Sequence, residues 1–143
     1  MNALILYNSR NGHTRAAANA IAKAAQDEGC DIKTMSVIEV RKADIELADV
    51  VFIGTWTQGL ILFNVRPAGA ELWVPTLPPL DGKPTGVFTT YLFNPFGSLK
   101  TLGDLVAARG ANVLAERAFH RRQPARGAAQ FVESVLHAPI TKN

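Results

Sequence analysis

Short apolar runs of strand length alternate with helix-length amphipathic stretches along this chain, and few architectures accept that pattern. Ala3–Tyr7 and Val50–Gly54 are continuous apolar runs, as expected of strands covered on both faces. Asp31–Met35, Thr85–Thr90 and Asn112–Phe119 read as three further strands, the last interrupted by Glu116 and Arg117. Thr14–Glu28 is helical, with Ala18, Ile21, Ala22 and Ala25 on one face and Gly29 as its stop. Ala68–Val74 reads as a short helix ended by the prolines of Pro75–Pro79. Leu99–Arg109 turns Leu102, Leu105 and Val106 inward, and Ala125–His137 closes the chain with Phe131, Val132 and Val135 on one face. Five strands alternating with helices predict an α/β fold: a doubly wound, five-stranded parallel sheet in three layers. The 143 residues show no repeat or linker and are 48% apolar, so a single domain over 1–143 is expected.

The lone cysteine, Cys30, excludes an internal disulfide and any multi-cysteine metal cluster. No segment reaches the ~18–20 apolar residues that span a bilayer, so neither a membrane nor a signal segment is expected, and the cytoplasm is the default location. Net charge is +3. Arg109, Arg117, Arg121, Arg122 and Arg126 crowd one stretch with only Glu116 against them. They read either as a solvated face or as a contact for an acidic partner. No nucleic-acid motif or interleaved aromatic accompanies them, so nucleic acid is not expected.

In an open parallel sheet, ligands bind outside the carboxyl ends of the strands, where the strand order reverses. Three segments there carry the chemistry. The first, Ser9-Arg10-Asn11-Gly12-His13-Thr14, lies between the first strand and a helix. A helix start offers unpaired N–H groups and partial positive charge, and Gly12 lets the backbone turn closely around an anion. Arg10 and His13 either add charge or face solvent. The motif is neither a P-loop nor a dinucleotide fingerprint. The second, Thr55-Trp56-Thr57-Gln58-Gly59, follows the Val50–Gly54 strand as a loop and sets an indole where a flat ligand would stack or a helix would pack. The apolar run Leu60–Phe63 after it enters the core, covers a ligand edge or forms a partner-docking patch. The third, Thr89-Thr90-Tyr91-Leu92-Phe93-Asn94-Pro95-Phe96-Gly97, is rich in aromatics. None of the three holds a compelling catalytic acid, base or nucleophile, or a metal-ligand set.

The first segment resembles the phosphate loop of flavodoxins, Ser/Thr-x-Thr-Gly-x-Thr, with Asn11 in place of the usual threonine. The resemblance covers essentially the whole chain and is to the short-chain type. It implies a sheet in the order 2-1-3-4-5, FMN held without a covalent link, and electron transfer between redox proteins, a reductase and an acceptor. It implies phosphate contacts from Ser9, Arg10, Asn11, Gly12, His13 and Thr14. Thr55 and Thr57 correspond to hydroxyl residues that reach the phosphate or ribityl chain, and Trp56 flanks the ring. A peptide near Gly59, or that of Gln58, would reorient as flavin N5 gains a proton. Thr89, Thr90, Tyr91, Phe93 and Gly97 would lie along the other side of the ring, with Tyr91 the first candidate for its second face and Phe93 the second. The basic balance, unlike the acidic surface usual in flavodoxins, implies acidic partners. Two other readings stand beside the carrier: a small NAD(P)H-dependent FMN or quinone reductase, and a flavin-free binding module. A receiver domain would need acidic residues where Asn8 and Ser9 stand.

Overall fold

The structure, a computed structural model, describes residues 1–9, 12–60, 63–95 and 97–138. The elements in order are β1 (Asn2–Tyr7), α1 (His13–Asp27), β2 (Asp31–Ser36), α2 (Lys42–Leu47), β3 (Val50–Leu60), β4 (Phe63–Pro67), α3 (Ala70–Trp73), β5 (Pro84–Tyr91), α4 (Ser98–Ala108), β6 (Asn112–His120) and α5 (Ala128–Leu136). Five parallel strands pair in the order β2-β1-β3-β5-β6. Counted among themselves, that is the expected 2-1-3-4-5.

The sheet is covered on both faces, which is why β1 from Ala3 on and the first half of β3 are apolar. On one face Ile5, Phe52, Phe88 and Phe119 meet α1 and α5; on the other Leu4, Leu6, Val51, Ile53 and Val87 meet α2, α3 and α4. Helix α1 turns only small or medium residues to the sheet, among them Ala17, Ala18, Ile21, Ala22 and Ala25. The space beside it is filled by the rings of Phe52, Phe88, Phe119 and Phe131, packed edge to face at centroid distances of 5.6–6.3 Å. Fully burying one such side chain is worth about 1.5–3 kcal/mol. Gly54 belongs to the same fit: a Cβ there would lie 2.2 Å from the Phe88 ring.

Four sequence expectations change. The segment Thr55–Leu60 is not a loop. β3 runs through it and pairs antiparallel with β4, with Thr57 opposite Pro67 and Leu60 opposite Phe63. A hairpin therefore extends beyond the parallel sheet, with Leu60 and Phe63 paired at its far end; residues 61 and 62 of the Leu60–Phe63 run lie outside the described residues. Helix α2, one and a half turns long, was not expected. The helix expected over Ala68–Val74 holds four residues before Pro75 turns the chain into a 3-10 turn, Val74–Thr76. Helix α5 begins at Ala128 rather than Ala125, because Gly127, at φ 88°, occupies its cap. The charges that interrupt β6 are those of an edge strand. Glu116 turns toward Gly103 of α4, and Arg117 turns to the opposite face, beneath Gly127.

Candidate functional site

The sheet order sets the carboxyl ends of β1, β3 and β5 side by side, so the three segments singled out in the sequence meet at one rim. Asn8, just past β1, ties the first of them to the second. Its amide N–H donates to the Gly54 carbonyl at 2.9 Å, and its side chain donates to Thr55 Oγ1 and the Ala68 carbonyl at 3.3 Å each.

The start of α1 is organised around one oxygen. The N–H groups of Gly12 and Arg15 both donate to Ser9 Oγ, at 3.2 and 3.4 Å. Gly12, the cap residue, is in the left-handed region at φ 82° and offers no side-chain acceptor. A Cβ at Gly12 would meet nothing within 4 Å, so it is the backbone angle that calls for glycine there. Two amides converging on a single hydroxyl at the positive end of a helix form a cradle for an oxyanion. The hydroxyl accepts from them in this arrangement and can turn to donate to an anion. Thr14 is buried, with its hydroxyl 2.9 Å from that of Thr90. His13 is half-buried, and Arg10 and Asn11 lie outside the described residues.

On β3, Thr55 is fully buried and accepts the Asn8 bond. Thr57 Oγ1 lies 2.9 Å from Ser98 Oγ, at the start of α4. Trp56 stands opposite Thr90 in the parallel ladder, so the two project to the same face, which is that of α1. Its indole is half-buried at the end of the sheet, and its carbonyl accepts from Ala68 N–H at 2.9 Å. Gln58 and Gly59 lie in the hairpin arm of β3, where the register shifts between Gln58 and Leu60. Such a bulge leaves backbone groups outside the ladder.

On β5, Thr89 is buried and its Oγ1 has no hydrogen-bond partner. Tyr91, first choice to cover a ligand, is already engaged: its ring packs edge to face on His120, with centroids 5.2 Å apart. His120 is held in turn by the Arg122 N–H, which donates to its Nδ1 at 3.1 Å. Phe93, by contrast, is 69% exposed. Gly97 caps α4, its carbonyl taking both the N–H and the hydroxyl of Thr101 at 3.0 Å. Sequence reasoning missed Asn8, Ser98 and His120 as supports. Only Ser98, a small polar residue at a helix start, carried a local signal.

The donor set therefore fits a phosphorylated, flat ligand. Helix amides and the hydroxyls of Ser9 and Thr14 suit the phosphoryl end, and Trp56 and Phe93 offer aromatic faces at the same rim. Cys30 is remote, at the amino end of β2, and burial pushes its thiol pKa up, which opposes nucleophilic use. A hollow of about 200 Å³ lies at the opposite end of the sheet, lined by Asn2, Asp31, Lys33, Asp44 and Leu47 among others, and none of the predicted site residues reaches it. Among the described residues no cluster of His, Cys, Asp and Glu could hold a metal ion.

Residues 5–121 match the family model described as Flavodoxin. The fold is similar to that of Megasphaera elsdenii flavodoxin, with a TM-score of 0.78 and 24% identity over 95% of this chain and 99% of that one. It is similar to Streptococcus pneumoniae flavodoxin, at 0.76 and 21% over 97% of this chain and all of the other. It also matches part of rubredoxin oxygen:oxidoreductase from Desulfovibrio gigas, at 0.75 and 20%, covering 96% of this chain but 35% of that one. No curated relative matches the chain in sequence.

Proposed function

The chain belongs to the flavodoxin family, whose members bind FMN, and from that premise we propose that it carries electrons between redox partner proteins, a reductase and an acceptor, as one domain spanning 1–143. The observation that supports this most is the meeting of the three segments at one rim, with an oxyanion cradle at one side and free aromatic surface at the other.

In this reading Ser9, Gly12, His13 and Thr14, with Arg10 and Asn11, hold the phosphate. The N–H groups of Gly12 and Arg15 are aimed at one point, Ser9 Oγ, at the positive end of α1, where an oxyanion would be held. Thr55 and Thr57 act from beneath, because Asn8 and Ser98 already engage their hydroxyls. Trp56 flanks the ring on the α1 side. Phe93 covers the other face rather than Tyr91, since Phe93 has free surface and Tyr91 is committed to His120. Thr89, Thr90 and Gly97 shape the ring's polar edge from β5 and the turn into α4. Gln58 and Gly59 sit at the bulge, where a peptide can turn without breaking a regular ladder. The bound flavin supplies reversible one- and two-electron chemistry; the chain positions it and limits access to it. The proposed workplace is the cytoplasm. Among the described residues, no helix is long and apolar enough to cross a membrane.

The test uses the FMN-loaded protein with NADPH. Reduction only when a separate flavoprotein reductase is added supports the carrier. Steady turnover of NADPH and a quinone by this protein alone would establish the reductase reading instead.

A further inference from the structure

The acidic residues of this molecule are sorted by position along the strands. No Asp or Glu occurs in residues 1–26, 50–70, 82–103 or 117–132. Those intervals contain the carboxyl ends of β1, β3, β5 and β6 and the segments that leave them. Asp27, Glu28, Asp31, Asp49 and Asp81 stand instead at the amino ends, just before or at the start of β2, β3 and β5. Glu39 and Glu71 lie after β2 and in α3.

The arginine cluster seen in the sequence divides accordingly. Arg109 belongs to the amino end, where its Nε donates to the Leu77 carbonyl at 2.7 Å. Arg121, Arg122 and Arg126 occupy the 121–127 turn between β6 and α5. That turn is pinned to the site, because Arg121 N–H donates to the Tyr91 carbonyl at 2.9 Å. Arg122 and Arg126 are exposed, as is Arg15 in the first turn of α1, the helix packed beside α5. Arg117 lies beneath the same turn, against Gly127, with its Nε buried and without a hydrogen-bond partner. Among the described residues the ion pairs use a lysine or a histidine, and none of Arg15, Arg117, Arg121, Arg122 and Arg126 is paired with a carboxylate.

We propose that the face formed by Arg121, Arg122 and Arg126 with Arg15, beside exposed Phe93, is the docking surface for an acidic redox protein. The proposal rests on the carrier reading above. Unpaired arginines next to an exposed aromatic give the charged flank and apolar centre of a protein interface. The opposite poles of the molecule orient an approaching acidic partner toward the rim where the flavin is held. A nucleic acid is the less favoured polyanion, because one exposed aromatic provides no series of stacking platforms.

The test compares two one-electron acceptors, an acidic cupredoxin and basic cytochrome c, with the photoreduced FMN-loaded protein across a range of ionic strength. The acidic acceptor should react faster at low salt and slow as salt rises, while cytochrome c should not slow. The triple variant R121E/R122E/R126E should lose about tenfold or more of the low-salt rate with the acidic acceptor. The variant K23E/K42E/K100E, with the same change in total charge elsewhere, should stay within about twofold. A second arm is independent of the flavin. In ¹⁵N-labelled protein without FMN, the unlabelled cupredoxin should shift the amides of residues 120–128 at low salt. Shifts there without FMN uptake would support the face and remove the carrier reading. A salt-independent rate, equal losses in both variants, or shifts elsewhere would overturn the proposal. So would release of a DNA duplex or of phosphatidylserine vesicles by the triple variant with acceptor rates unchanged.

Discussion

The hydroxyl of Thr14, in the first turn of α1, lies 2.9 Å from the hydroxyl of Thr90, one residue from the end of β5. Both residues are buried, so this contact ties the oxyanion cradle directly to the strand that carries the third segment. Replacing either threonine by valine leaves the other hydroxyl buried without its partner, at a cost of about 1–3 kcal/mol. Replacing both should cost clearly less than the two single changes added together. Urea unfolding of the four proteins measures the difference, and strict additivity would show that the pair is not coupled.

Two glycines should fail for different reasons. Gly12→Ala forces a side chain to φ 82° in open space, a backbone cost of about 1–2 kcal/mol. Gly54→Ala drives a methyl group into the Phe88 ring, an overpacking cost of about 1–3 kcal/mol. Phe88→Leu in the same chain should recover part of the Gly54→Ala loss and none of the Gly12→Ala loss. Chemical unfolding midpoints of the single and double variants decide this.

The two aromatics of the third segment should separate stability from binding. Phe93→Ala, at a side chain 69% exposed, should leave the apo-protein within about 0.5 kcal/mol of wild type. It should weaken FMN binding by about 1 kcal/mol, or fivefold. Tyr91→Ala removes the contact with His120 and should destabilise the apo-protein by about 1 kcal/mol. Thermal melts without FMN and fluorescence titrations with it give both readings.

Asp44 sets part of the acid limit. The Lys33 ammonium, hydrogen-bonded to it at 2.5 Å, and then the Arg41 backbone N–H hold its carboxyl below the usual aspartate range. A folded-state pKa below the unfolded one, about 3.9, contributes stability above that value and loses it as pH falls through the folded one. Asp44→Asn should therefore lower stability at neutral pH and flatten its decline in acid. An unchanged acid limb in urea midpoints measured against pH would contradict the assignment.

What the sequence disclosed follows from its physics. β1, the first half of β3 and β5 are buried on both faces, and an unbroken apolar run such as Ala3–Tyr7 has few other uses. The start of α1 was readable because Gly12 and its polar neighbours are local chemistry. The hairpin was not. Thr55, Trp56 and Thr57 are good strand formers, but polar residues and Gly59 after an apolar run look like a loop until β4 arrives to pair with them. Helix α2 is too short for periodicity to register. The commitment of Tyr91 to His120 depends on a neighbour 29 positions away in sequence, and only the β5–β6 pairing reveals it.

Titration of the flavin-free protein with FMN, followed by flavin fluorescence and visible absorption, bears most directly on the site. Saturation at one FMN per chain is expected, with fluorescence quenched by the stacked aromatics and affinity reduced in Gly12→Ala. Fluorescence unchanged at saturating protein, or binding indifferent to Gly12→Ala, would mean that the rim where β1, β3 and β5 end is not where this chain holds a flavin.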